Sequence, residues 1–293
     1  MDTREKYIEA GKIAATALKY GAEHIQIGKS LLSATDAAEQ KVLDMGGEFA
    51  FPPQISLNEI AAHYCAEPND ETIFKKGDLA KIDVGVMIDG YVGDNALTVN
   101  LGDNEKLVKA SRDALNNVLE LIKPGITLSE IGKTIQDTIT KAGYSPVKNL
   151  SGHGVNQYVY HDKPSIPNYD TGDKTELQAG QVIAIEPFAS TGSGIIFESA
   201  HSNIFSMRKK KPVRNLITRN VLKEILKYKD MPFTTRWLTK TIPLPKVNFA
   251  IRELLQHGVI NSYPPLPDTE KGLISQAEHT VMVEDEPIVT TRI

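Results

Sequence analysis

Apolar residues recur at helical spacing between Glu5 and Tyr20 (Ile8, Ile13, Ala17, Tyr20), and the run meets Gly21. That spacing predicts a helix over 5–20, closed by the glycine. A second helical segment covers about 35–45 and closes at Gly46-Gly47. Phe51-Pro52-Pro53 then imposes an extended, turn-rich path. Residues 79–100 read as two strands around Asp89-Gly90, the pair that joins tight hairpins. Helical spacing returns over 105–122 and ends before Pro124-Gly125. Thr127-Leu128-Ser129-Glu130 has capping-box spacing and opens a helix through Ala142, closed by Gly143. Strands follow near 182–186 and 194–197, with a glycine-rich turn between them, and later at 279–284 and 287–292.

From Met207 to Tyr263 the texture changes. Basic residues cluster first, and then Asn220–Tyr228 and Phe249–His257 show helical periodicity. The order of elements predicts an α+β fold, helices covering an antiparallel sheet, interrupted by a mostly helical insert. Residues 1–206 and 263–293 would form one domain and residues 207–262 the insert. A faint internal repeat accompanies this order. Each half gives a helix, a closing glycine and then a histidine: Gly47 before His63, and Gly143 before His153.

With Asp89-Gly90 as the turn, Ile88 faces Tyr91 and Asp94 faces Gly85. Side chains alternate along a strand, so Asp83 shares a face with Gly85. Asp83 and Asp94 are then diagonal neighbours, with backbones roughly 7–8 Å apart. Two carboxylates so placed repel unless a cation or a proton neutralises them. Glycines at 85 and 93 are expected to leave room beside them. The same hairpin would equally suit a surface turn with one solvated aspartate, and a one-residue slip would separate the pair.

Composition narrows what such a cluster can be. The 293 residues are 41% hydrophobic and 24% charged with a net charge of −4, which suits a globular domain and gives no general reason to wrap nucleic acid or lie on a membrane. No stretch approaches the ~18 consecutive apolar residues of a membrane span, and the N-terminus carries no hydrophobic signal core. A cytoplasmic protein is expected. Cys65 is the single cysteine, so neither an internal disulfide nor a thiolate zinc cluster can form. Any metal chemistry must use carboxylates and histidines.

Further candidates of that kind exist. His153 lies between glycines in Ser151-Gly152-His153-Gly154, where small neighbours would let an imidazole approach a site. Glu186 ends the apolar run Val182–Ile185, and Glu278 precedes the apolar run His279–Val283. Each alone also describes a loop histidine or an exposed strand end. Taken together, Asp83, Asp94, Glu186 and Glu278 bring four negative charges and two divalent ions bring four positive. That balance suits a two-metal hydrolytic site with a bridging hydroxide, and one imidazole among carboxylates favours Mn, Fe, Co or Zn in an open geometry.

The motifs AAHYCA (His63), IDVGVMIDGYVGDNALTV (Asp83, Asp94), SGHGV (His153), AIEPFAS (Glu186) and QAEHTV (Glu278) resemble the methionine aminopeptidase branch of the pita-bread metallopeptidases. They stand in family order and span 51–284. The stretch between the Glu186 and Glu278 strands resembles the winged-helix-like insertion of type 2 members. The absence of a long N-terminal extension resembles archaeal members. The resemblance implies a pseudo-twofold fold and removal of the initiator methionine from nascent chains whose second residue is small. It implies Asp83, Asp94, His153, Glu186 and Glu278 as ligands of two divalent ions, with Glu186 also carrying a proton. It makes His63 and His161 non-ligand histidines at the scissile amide, and Phe51, Tyr160, Phe188 and Tyr263 the walls of a methionine pocket. A monomer is expected. Two alternatives stand beside it. A proline-specific pita-bread peptidase shares the five donors but carries a substantial N-terminal domain. A non-catalytic homologue would bind RNA or the ribosome through residues 207–229, which hold nine Lys/Arg against one Glu.

Overall fold

The structure, a computed structural model, describes residues 1–199 and 201–293. Asp2 opens the first helix by accepting from the Glu5 N–H, while the Glu5 carboxylate takes the Asp2 N–H. This helix, α1 (Thr3–Glu23), packs beside α2 (Leu31–Asp44). It does not stop at Gly21 as the spacing predicts. A Cβ there would lie 2.6 Å from Ile82 and 2.9 Å from Ala38, so this glycine admits neighbours and does not end the helix. Ser30 caps α2 through its hydroxyl, and the helix therefore begins ahead of the expected 35.

The two helices cover a four-stranded sheet of β1 (Glu48–Phe49), β2 (Gln54–Leu57), β3 (Leu79–Ile88) and β4 (Tyr91–Asn100). β3 pairs along its whole length with β4, and β1 and β2 share its other edge. Ile13, Ala17, Ala38 and Val42 pack there on Ile55, Ile82 and Val84. Fully burying a side chain such as Ile82 contributes roughly 1.5–3 kcal/mol.

The order then repeats. α3 (Glu105–Leu119) and α4 (Leu128–Lys141), the latter opened by the predicted Thr127–Glu130 capping box, cover the second set of strands. These begin with β5 (Ser145–Pro146), β6 (Ser151–Asn156), β7 (Val159–Pro167), β8 (Val182–Ile185) and β9 (Phe188–Ser190). After them the chain forms β10 (Ile204–Met207), α5 (Leu216–Ile225), β11 (Phe233–Thr234), α6 (Thr235–Thr239), α7 (Leu244–Gln256) and β12 (Ile260–Tyr263). It returns through β13 (Ile274–Gln276), β14 (His279–Met282) and β15 (Ile288–Val289). The second half holds a five-stranded sheet in the order β15-β14-β8-β6-β7 and a smaller one, β13-β9-β5. Its core joins Ala114, Val118, Ile131 and Ile135 to Ile183, Ile185 and Val281.

The strand expected over 194–197 is absent. Gly194 holds φ +67°, outside strand geometry, and Ile196 makes only an isolated bridge to Asp268. The pairing falls instead on Phe188–Ser190, opposite Ile274–Gln276. Residues 207–262 carry α5, α6 and α7 over their own core, which includes Val221, Phe233, Trp237 and Leu254. Strands frame this unit, because β10 and β12 pair with each other at its two borders and β11 within it pairs with β10. This unit is fastened to α2. Arg236, 7% exposed, bonds Asp36 at 2.7 Å and also Glu39, which accepts from the Trp237 indole N–H at 2.7 Å.

Candidate metal centre

The β3–β4 hairpin has the predicted register. Ile88 pairs with Tyr91 and Gly85 with Asp94, across a turn in which Asp89 and Gly90 both hold positive φ. Asp83 and Asp94 therefore share a face. The glycines act differently from the expectation. A Cβ on Gly85 would lie 2.2 Å from the Phe51 ring, and one on Gly93 would lie 2.5 Å from the backbone of Gly11. Each makes room for a packing neighbour, and neither leaves a gap beside the aspartates. The same holds around His153: Gly152 and Gly154 admit the Ala184 and Lys163 carbonyls of adjoining strands.

Asp83, Asp94, His153, Glu186 and Glu278 converge from five strands or their ends, β3, β4, β6, β8 and β14. Donor atoms of Asp94, His153 and Glu278 all lie within 4.8 Å of one another. His153 Nε2 is 3.7 Å from Asp94 Oδ2 and 3.8 Å from Glu186 Oε1. Its Nδ1 lies 3.1 Å from the Gly154 carbonyl. That bond places the ring proton on Nδ1 and turns the Nε2 lone pair toward the carboxylates.

Burial dominates the electrostatics. It raises Asp83, Glu186 and Glu278 well above the usual carboxylate range, and their mutual repulsion and that of Asp94 add to the effect. Asp94 is pushed up to about 7 by burial, against the opposing bonds from Asn95 and Asp83. Burial also lowers His153 to about 4, so its ring is neutral. Among the described residues no lysine or arginine forms a salt bridge with any of the four carboxylates. Oδ1 of Asp83 and Oδ1 of Asp94 are buried without a partner. Unpaired buried carboxylates at this density need protons or a cation to neutralise them. Neutral imidazole nitrogen plus carboxylate oxygen is the donor chemistry of a divalent transition metal, so the site fits such ions.

The cluster forms one wall of a cavity of about 610 Å³ that Phe51, His63, Tyr160, His161, Phe188 and Tyr263 also line. His161 lies against His153 with ring centres 4.0 Å apart and planes tilted by 47°. His63 sits in a loop after β2 at φ +67°, with its ring edge-on to Tyr263 at 5.9 Å. Burial lowers His63 to about 4, and surrounding protein together with His153 and His63 also lowers His161. Phe51 and Phe188 are buried. The two tyrosines are less purely apolar than expected. Tyr160 donates to the Tyr263 hydroxyl at 2.7 Å, and Ser206 Oγ lies 2.8 Å from that same hydroxyl.

Residues 5–214 match the Metallopeptidase family M24. The chain belongs to that family. The methionine aminopeptidase of Archaeoglobus fulgidus is 45% identical over 285 residues, covering 97% of this chain and 96% of its own. A solved methionine aminopeptidase from Thermotoga maritima superposes with a TM-score of 0.73 at 23% identity, over 99% of this chain and 96% of that one. The prolidase from Pyrococcus furiosus gives a TM-score of 0.63 at 20% identity, over 100% of this chain and 64% of that one. The α+β architecture of two helix-backed halves is the pita-bread fold of family M24.

Several residues at this M24 site were not anticipated from the sequence. Gln54, Ile204 and Pro232 line the cavity, and Ser206 anchors Tyr263. Ile204 and Tyr263 are direct partners across β10 and β12, so the strand pair that frames the 207–262 unit furnishes part of the pocket wall. A strand of four residues next to a basic stretch gave no periodic signal for this.

Proposed function

We propose that the chain is a type 2 methionine aminopeptidase that releases the N-terminal methionine of new proteins when the second residue is small. One observation carries the reading. Four clustered acidic side chains without a basic partner (Asp83, Asp94, Glu186, Glu278) and the neutral His153 stand in the same cavity as an aromatic wall that suits a thioether. Relatives such as the Archaeoglobus fulgidus methionine aminopeptidase extend over nearly the whole chain. The unit at 207–262, set between the Glu186 and Glu278 strands, supports the type 2 assignment.

Two divalent ions, of Mn, Fe, Co or Zn, would be held by Asp83, Asp94, His153, Glu186 and Glu278. Bound there, they would acidify the attacking water and polarise the scissile carbonyl. The rest of the work belongs to side chains. Glu186 is more open than its neighbour, with 15% side-chain exposure against 3% for Asp94. It takes the proton of the incoming water and returns it to the leaving amine. His63 and His161, held neutral, contact the scissile amide. Phe51, Tyr160, Phe188 and Tyr263 enclose the methionine side chain, and a polarizable thioether suits aromatic walls. The setting is cytoplasmic, with the basic stretch at 207–229 turned toward the ribosome.

Hydrolysis of Met-Ala-Ser by metal-depleted protein, titrated with Mn, Fe, Co and Zn, tests this. Activity should be absent without metal and saturate near two ions per chain. Turnover by metal-free protein, or no turnover with any of the four metals, would refute it.

A further inference from the structure

The segment carrying His63 runs beside β2 without being a strand. Ile55 donates its N–H to the Tyr64 carbonyl at 2.9 Å. The next two amides of the segment find side chains instead: Tyr64 N–H donates to Ser56 Oγ at 3.2 Å, and His63 N–H to Gln54 Oε1 at 2.7 Å. His63 is left-handed at φ +67°, which breaks the extended path. L side chains hold that conformation only where the surroundings impose it.

Gln54 is well placed to impose it. It is 7% exposed, pairs directly with Asp83 in the β2–β3 register, and lines the same cavity as the five donors. A buried amide is costly unless it is bonded, and the His63 N–H occupies its oxygen. The imidazole has a separate support, because its edge meets Tyr263, whose hydroxyl is held by Tyr160 and Ser206. Ring and backbone of His63 are thus fixed from different sides.

We infer that Gln54 is a positioning residue for the reaction. Its side-chain oxygen locks the His63 backbone in the left-handed turn that aims the imidazole at the scissile amide. This rests on the role proposed above for His63.

A double-mutant cycle on the full-length, metal-loaded enzyme tests it, with Met-Ala-Ser as substrate. Gln54→Met keeps length and removes the acceptor. It should lower kcat about tenfold while KM stays within about threefold, and metal content by elemental analysis should not change. In a His63→Ala background the same substitution should cost less than about twofold, because residues acting as a unit are non-additive. Equal losses in both backgrounds, or an unchanged kcat in Gln54→Met, would overturn the inference. A His63→Ala enzyme of full activity would instead sink the role of His63 itself. Should Gln54→Met fail to fold, Gln54→Glu decides. It keeps an acceptor oxygen, so kcat should remain within about threefold at unchanged metal content, and a tenfold loss would contradict the proposal.

Discussion

Asp94 shows how much chemistry one side chain concentrates here. Its backbone is held by Thr280, whose hydroxyl accepts from the Asp94 N–H at 2.7 Å and donates to its carbonyl at 2.8 Å. Its carboxylate meets His153 and Asp83. Asp94→Asn should therefore lower metal affinity and nearly abolish turnover while the fold persists, since it also relieves part of the carboxylate repulsion. Metal content and Met-Ala-Ser hydrolysis, measured together, check this, and full occupancy with full activity would refute it. His63→Ala should separate the two readouts, leaving metal content intact while kcat/KM falls about 10²-fold. The Asp83–Asp94 geometry was legible in the sequence because a two-residue Asp-Gly turn fixes strand register. The bond from His63 to Gln54 was not, since a side chain capturing the N–H of one left-handed residue leaves no periodic trace.

At the scale of elements, the helices were legible and their ends less so. α4 begins where its capping box predicts. α1 passes through Gly21 because that glycine meets Ile82 and Ala38, a tertiary contact that spacing cannot show. The strand placed at 194–197 belongs at 188–190 for a similar reason: three apolar residues suggested a strand, and the left-handed Gly194 beside them precluded it. The ion pair that docks α6 on α2 was also unreadable, since Glu39 and Arg236 lie 197 residues apart. It yields a graded expectation. Glu39→Ala leaves the buried guanidinium of Arg236 and the Trp237 N–H without their main partner, and should cost about 3–5 kcal/mol. Asp36→Ala removes a partner whose side chain is 58% exposed and should cost under ~1 kcal/mol. Urea denaturation of both variants checks the ranking, which equal losses would contradict.

For the whole molecule, the carboxylate cluster couples metal, protons and stability. Burial raises Asp94 to about 7, and burial with repulsion from neighbouring carboxylates raises Asp83, Glu186 and Glu278 well above their ordinary range. The metal-free folded chain thus keeps protons that the unfolded chain has already lost. The contribution of these four groups to stability is fully present below the unfolded carboxylate range and is lost as pH rises toward the folded values. A metal-loaded chain has given up those protons and escapes that loss. Lowered groups outside the cluster, such as His279 at about 4 and Lys81 at about 7, act alike on both forms and cancel in the comparison. The gap in Tm between metal-loaded and metal-free protein should therefore widen from about pH 6 to 8 and narrow in Asp94→Asn. A gap independent of pH would argue against a metal at this cluster.

The repeated order of two helices followed by strands brings Asp83 and Asp94 from one half against His153, Glu186 and Glu278 from the other. Ile204 and Tyr263, on the strand pair that frames the 207–262 unit, line the pocket beside them, and Ser206 holds the Tyr263 hydroxyl. Substrate selection is where these parts act together. The pocket has aromatic walls, so an unbranched apolar first residue should fit it. Alanine leaves it partly empty, and lysine would bury an unpaired charge. A missing methylene is worth only about 1–3 kcal/mol, so norleucine should substitute passably for methionine. With the methionine side chain in that pocket, the second residue would lie against the proposed ion site and His161, which favours a small side chain there. The deciding measurement is kcat/KM of the metal-loaded enzyme over a tripeptide panel varied at its first two positions. Met-Ala, Met-Gly and Met-Ser starts should be cleaved well, with Met-Lys, Met-Trp, Ala-Ala and Lys-Ala starts hardly at all. A preference for proline in the second position whatever the first residue would contradict the account and favour a proline-specific peptidase.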